Sequence, residues 1–228
     1  MSDVDPAQDT SGHRARLRRR LIEGGAEALL DHELIEYLLA LAIPRRDTKP
    51  MARALLAEFG GLGALLSADS ETLARADVSE TAIGALRIAQ VAALRLLKSG
   101  IADRPVLASW QALSDYLHAA MAHRATESAR VLHLNTKNVL IRDELISEGS
   151  VDQAAIHVRE VVRRALELQS SAIILVHNHP SGDPSPSKQD IAITREIIAA
   201  CRPLNISVHD HVIVGSKGQS SLRSMGLI

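Results

Sequence analysis

Ala172-Ile173-Ile174-Leu175-Val176-His177-Asn178-His179-Pro180-Ser181-Gly182-Asp183-Pro184-Ser185-Pro186-Ser187-Lys188-Gln189-Asp190 is the stretch that decides the fold. Its first five residues form an apolar run, as a strand buried on both faces requires. Two histidines two apart at the end of that strand turn their rings to one side. A loop rich in Pro, Ser and Gly follows, and a helix opens at Ser187 with Asp190 in its first turn. Two imidazoles and one carboxylate then meet at one point. That is the ligand set of a catalytic zinc site, with the fourth position left for water.

Each part has a plainer reading. A His-x-His pair arises by chance in a chain with ten histidines, and His209-Asp210-His211 is a second one. Ser187 and Asp190 also fit a helix capping box, which needs no metal. Ligands on a strand end and on the next helix, joined by a loop stiffened by Pro180, Pro184 and Pro186, are harder to explain by capping alone. Asp183 reads as a turn residue, and Gly182 as the residue that permits a tight turn.

The order His177, His179, seven residues, Ser187, two residues, Asp190 resembles the JAMM (MPN-type) metalloprotease motif. The fuller wording from His177 to Asp190 is similar to the RadC-like branch of that superfamily. Val158-Arg159-Glu160-Val161-Val162 upstream and Asp210-His211-Val212-Ile213-Val214-Gly215 downstream support the same resemblance. It implies an α/β (α+β) metallo-domain with helices packed on a mixed sheet. It also implies a Zn2+-dependent peptidase or isopeptidase, with His177, His179 and Asp190 as metal ligands. Neutral histidines and one carboxylate leave a zinc complex of charge about +1, which lowers the pKa of a bound water towards ~7.

Peptide hydrolysis also needs a group to move the water's proton to the leaving amine. In the JAMM pattern this is an upstream glutamate at the start of a strand that follows a helix. Glu127 is the residue that matches, with Glu144, Glu148 and Glu160 as competitors. Glu160 lies in an Arg-Glu pair on a helix and reads as a salt-bridge partner. Ser187 has two compatible roles, capping its helix and, by the resemblance, holding the oxyanion. His209 and His211 alternate onto one strand face. They read as structural, with His211 or Asp210 in a buried hydrogen bond.

Composition agrees with a globular enzyme. The chain has 228 residues, 46% of them hydrophobic but only 2% aromatic, so the core is built from aliphatic side chains. The net charge of −1 argues against a surface devoted to phosphate. A single cysteine, Cys201, excludes an intramolecular disulfide and suits a reducing cytoplasm. The acidic start, with Asp3, Asp5 and Asp9, does not read as a signal peptide. No apolar run approaches the roughly 20 residues of a membrane span.

The chain divides by pattern. Residues 1–12 read as a disordered tail and residues 13–98 as an all-helical domain. Residues 99–108 are a linker by composition, and residues 109–228 form the metallo-domain. In the helical part, Asp31, Asp47 and Ser79 are candidate helix caps and Gly60-Gly61 a stop. After the linker a helix over 109–123 precedes a hairpin of strands at 130–135 and 139–142. A helix over 157–169, the motif strand and a helix over 187–201 follow. Two short strands, 206–209 and 211–215, close the domain.

The helical domain resembles helix-hairpin-helix modules, which grip DNA phosphates through a Gly-containing turn. Here that turn would be Ala76-Asp77-Val78-Ser79-Glu80, with two acids and no glycine. The first hundred residues hold thirteen Lys/Arg against fourteen Asp/Glu, although Arg14, Arg16, Arg18, Arg19 and Arg20 cluster. Two hypotheses therefore stand: a metallopeptidase acting on an unknown peptide or protein, and a DNA-associated or interaction protein whose metal site is structural or regulatory. Two-metal phosphodiester hydrolysis would need a second carboxylate cluster, and the sequence offers no clear one.

Overall fold

The computed structural model describes residues 6–101, 104–149 and 156–228. The chain forms two compact units, Met1–Ala92 and Ala93–Ile228, so the division falls inside a helix.

The first unit is helical. It comprises α1 (Pro6–Gly24), α2 (Asp31–Ala42), α3 (Lys49–Phe59), α4 (Leu62–Ser67), α5 (Ser70–Arg75) and the first part of α6 (Glu80–Ser99). The first helix begins at Pro6, ahead of residue 13 where the helical domain was expected to start. Residues 1–5 of the expected tail lie outside the described residues. Ile35, Leu39, Leu55, Leu65, Leu73 and Leu86 interlock as an aliphatic core. Full burial of each such side chain is worth about 1.5–3 kcal/mol. Gly60 ends α3 in the left-handed region, at φ 82°, where a Cβ would be strained. Asp69 caps α5 by accepting the Thr72 N–H at 2.8 Å. The α5–α6 turn also passes through the left-handed region, at Asp77 (φ 56°).

The second unit is a layered α/β domain. Its elements are α7 (Trp110–Met121), β1 (Ser128–Leu134), β2 (Leu140–Glu148), α8 (Val158–Glu167), β3 (Ala172–Asn178), α9 (Lys188–Cys201), β4 (Ser207–Gly215) and β5 (Gly218–Ser221). Among the described residues the sheet order is β2-β1-β3-β4-β5. Only β3 and β4 pair in parallel; the other neighbours are antiparallel. This is the mixed sheet expected from the sequence. On one face Leu132, Ile174, Val176 and Val212 pack with Leu113 and Leu117 of α7. On the other Val131, Ile173, Leu175 and Val208 pack with Val161 of α8 and Ile197 of α9. β3 is buried along its whole length, which is why its sequence is an unbroken apolar run.

One expectation about the strands needs correcting. Residues 207–215 form a single strand, not two, with a bulge in its pairing to β3 where Ile173 faces Val208 and Ile174 faces Asp210. The extra residue, His209, reverses the alternation. Val208 packs with α8 and α9, whereas Val212 packs with α7. His209 and His211 consequently face opposite sides of the sheet, against the simple period-two reading. His209 reaches Asn138 at 2.7 Å, while His211 is fully buried beside His177.

Candidate metal centre

β3 carries His177 and His179 to its C-terminal end, and α9 starts alongside them with Asp190 in its first turn. The three side chains converge so that their donor atoms all lie within 4.8 Å of one another. His177 Nε2 is 2.9 Å from His179 Nε2 and 3.3 Å from Asp190 Oδ1. His179 Nε2 is 3.7 Å from Asp190 Oδ2. A tetrahedral ion with donors at about 2.0–2.1 Å sets those donors about 3.3–3.4 Å apart. The observed separations bracket that value, so the cluster has the size such an ion needs.

Hydrogen bonds on the far sides of the rings hold them in place. His179 Nδ1 meets the Asp183 carbonyl at 2.8 Å. A carbonyl can only accept, so Nδ1 carries the proton and the neutral ring turns a lone pair on Nε2 inward. His177 Nδ1 meets His211 Nε2 at 2.7 Å, and His211 Nδ1 meets Thr194 Oγ1 at 2.6 Å. Two imidazole nitrogens 2.9 Å apart beside a carboxylate are stable only with a cation among them, either a metal ion or a proton.

The electrostatics agree. Burial pushes the His177 imidazole down to about 4, so it is neutral at neutral pH. The neighbouring Asp190 carboxylate raises His179, against the effect of burial, and Glu127 adds to the rise. Burial alone would push the Asp190 carboxyl up. His179, His177 and the Ser187 hydrogen bonds overcome this and hold it below the ordinary range. An ionised carboxylate with one buried and one half-buried imidazole is a donor set ready for a divalent cation.

Ser187 caps α9. Its Oγ accepts the Asp190 N–H at 3.1 Å, and Asp190 Oδ2 accepts the Ser187 N–H at 2.7 Å. The capping box and the ligand geometry therefore use the same residues. One carboxylate oxygen is spent on the cap, and Oδ1 is left facing His177. Asp183 is a turn residue, its Oδ1 accepting the Ser185 N–H at 3.0 Å. Its backbone also orients His179, which the sequence did not suggest.

Glu127 lies one residue before β1. Ala129 pairs with His177, so extending that register brings Glu127 level with His179. Its charge acts on the His179 ring. The competing glutamates are engaged by arginines. Glu144 binds Arg164 at 2.8 Å, Glu160 binds Arg163 at 2.9 Å, and Glu148 pairs with Arg124. Asn178, between the two histidines, is completely buried. Its Oδ1 accepts from Ser128 N and Oγ, and its Nδ2 donates to the Thr126 carbonyl at 3.1 Å. It thereby grips the residues on both sides of Glu127. Sequence reasoning passed over Asn178 and Thr194; a polar residue inside an otherwise apolar strand was the one available signal for Asn178.

Other sequence candidates fall away from the centre. Cys201 is buried in the core. Asp210 is buried and accepts the His211 and Arg223 N–H groups at 2.7 and 2.9 Å. Among the described residues no helix is long and apolar enough to cross a membrane.

The model of a RadC-like JAB domain matches residues 107–227. A UPF0758 protein of Rhodobacter capsulatus is 51% identical over 213 residues, covering 93% of this chain and 100% of that protein. A UPF0758 protein of Ruegeria pomeroyi is 49% identical over 217 residues, covering 95% and 97%. Matching the family model over residues 107–227 and its relatives in sequence over nearly its whole length, the chain belongs to the RadC-like JAB domain family.

Proposed function

We propose that this protein is a zinc-dependent hydrolase of amide bonds, a peptidase or isopeptidase, acting through Glu127, His177, His179, Ser187 and Asp190. The observation that carries the proposal is the convergence of the His177 and His179 Nε2 atoms with the Asp190 carboxylate at one point. A zinc ion held there would supply Lewis acidity, polarising the scissile carbonyl and lowering the pKa of an attacking water.

The chain's own residues supply the rest. Glu127, level with His179, takes the proton of the attacking water and passes it to the leaving nitrogen. Ser187 uses an oxygen lone pair to cap α9, which leaves its hydroxyl proton to donate to the developing oxyanion. Loop residues 180–186 hold these groups in place, since Gly182 and Gly215 pack backbone to backbone.

The DNA-associated alternative draws less support. Arg14 is spent on the carbonyls of Pro44 and Arg46, and Arg20 on Glu33 and the Ala28 carbonyl. The α5–α6 turn presents Asp77 and Glu80, which repel phosphate. The deciding experiment is a peptide-library hydrolysis assay with zinc-loaded parent and Glu127→Gln. Cleavage by the parent alone supports the peptidase. DNA binding by both proteins, with no cleavage by either, favours the alternative.

A further inference from the structure

Behind His177 runs a chain of hydrogen bonds that ends on another residue of the same cluster. His177 Nδ1 lies 2.7 Å from His211 Nε2, His211 Nδ1 lies 2.6 Å from Thr194 Oγ1, and Thr194 Oγ1 lies 2.5 Å from the backbone oxygen of Asp190. His211 and Thr194 are fully buried, and the His177 ring is nearly so, so these groups take their hydrogen-bond partners from the protein. Both ends of the chain lie in the same cluster, because Asp190 Oδ1 is 3.3 Å from His177 Nε2.

The direction of every proton follows from the last link. A carbonyl oxygen can only accept, and two oxygens this close repel unless a proton lies between them. The Thr194 hydroxyl therefore donates to Asp190. Its oxygen must then accept from His211, so His211 carries its proton on Nδ1. Neutral His211 has only a lone pair left on Nε2, so His177 must donate from Nδ1. Neutral His177 is then bare on Nε2, the atom that faces His179 and Asp190.

We infer that His211 and Thr194 are positioning residues that fix His177 in its Nδ1–H tautomer, so that Nε2 is a ready metal donor before any metal arrives. The arrangement does for an imidazole what a carboxylate or carbonyl partner does at other metal centres. It links β4, through the bulge that turns His211 inward, to the first turns of α9. Thr194 lies one helical turn after Asp190, so its hydroxyl reaches the carbonyl four residues back. The opposite proton order would leave the Thr194–Asp190 contact without a proton and put an N–H on His177 Nε2, which must be lost before a metal can bind.

This inference rests on the proposed metal centre, but its first test needs no metal. Long-range nitrogen–proton NMR on the full-length, metal-free protein with 15N-labelled histidine reads each ring's tautomer directly. The expected result is Nδ1–H for both His177 and His211 in the parent. Nε2–H on both rings would overturn the inference while leaving the metal centre itself open to binding measurements. The second test is zinc affinity by competition titration. Thr194→Val keeps the shape but removes the hydroxyl, and should weaken zinc about 10–100-fold, the usual effect of losing such a partner. Thr194→Ser should restore affinity to within about threefold of the parent, a tolerance well inside that loss. Equal weakening in both variants, or none in Thr194→Val with melting temperatures unchanged, would show that the hydroxyl does not position His177.

Discussion

The side-chain oxygen of Asn178 accepts both the backbone N–H and the hydroxyl of Ser128, at 2.9 and 2.7 Å. With a third bond, from Asn178 Nδ2 to Thr126, the side chain ties the start of β1 to the end of β3 on either side of Glu127. Asn178→Ala would leave the Ser128 N–H and the Thr126 carbonyl without this partner. A cost of about 1–3 kcal/mol in unfolding free energy is expected. Zinc stoichiometry should be kept, because the Asn178 side chain bonds Ser128 and Thr126 and not the His177 or His179 ring, while turnover falls sharply. Denaturant unfolding and metal analysis on one preparation check both statements. Loss of zinc with the fold intact would show that Asn178 supports the ligands rather than Glu127.

Gly215→Ala should damage the centre from behind. A Cβ on Gly215 would sit 2.3 Å from the Gly182 carbonyl oxygen and 2.7 Å from its carbon. Both obstacles are backbone, so the motif loop must move rather than a side chain rotate. His179 N donates to the neighbouring Val214 carbonyl at 2.9 Å, so the shift reaches a proposed ligand directly. Overpacking of this kind costs about 1–3 kcal/mol. Zinc affinity and melting temperature should fall together, and unchanged affinity would mean the loop absorbs the methyl group.

Ser187→Ala removes the cap on the Asp190 N–H. A loss of about 0.5–2 kcal/mol in stability is expected from capping alone. Turnover should fall by more than zinc affinity, because the hydroxyl proton is assigned to the oxyanion and not to the metal. Parallel measurement of kcat, zinc affinity and unfolding separates these effects. A fall in stability with kcat unchanged would reduce Ser187 to a cap.

Acid should destabilise the fold partly through His133. Its ring is fully buried, with Nδ1 2.9 Å from Ser170 Oγ and Nε2 3.7 Å from Glu144. Burial pushes its pKa down to about 4, against the pull of Glu144. The unfolded chain takes up this proton near ~6.5, so between those values the unfolded state binds more protons. The contribution of His133 is therefore complete above the unfolded value and is lost as pH falls towards 4. Melting temperatures of the metal-free protein should drop between pH 7 and 5, and less steeply in His133→Gln. Identical drops in the two proteins would remove His133 from the account.

Local chemistry made much of this molecule legible in its sequence. The run 172–176 has to be buried on both faces, and the prolines and glycine after it have to be a loop. Ser187 and Asp190 mark the helix start whether or not a metal binds, so the ligand convergence followed from three adjoining elements. What was hidden depends on pairing between distant segments. The level of Glu127 against His179 comes from the β1–β3 register, which no short-range pattern states. The inward turn of His211 comes from a bulge at His209, which reverses the alternation expected of a regular strand. Thr194 looks like any helical threonine until β4 brings His211 beside it. The start of α1 at Pro6 was also missed, because a polar segment with little apolar periodicity gives a helix no signature.

The most direct test is zinc content of the purified full-length protein after metal stripping and reloading, alongside His177→Ala and Asp190→Ala. About one zinc per chain in the parent, with none retained by either variant of unchanged fold, is the expected result, as three protein donors require. A parent that takes up no zinc, or variants that hold as much as the parent, would contradict the assignment of His177, His179 and Asp190 as a metal centre.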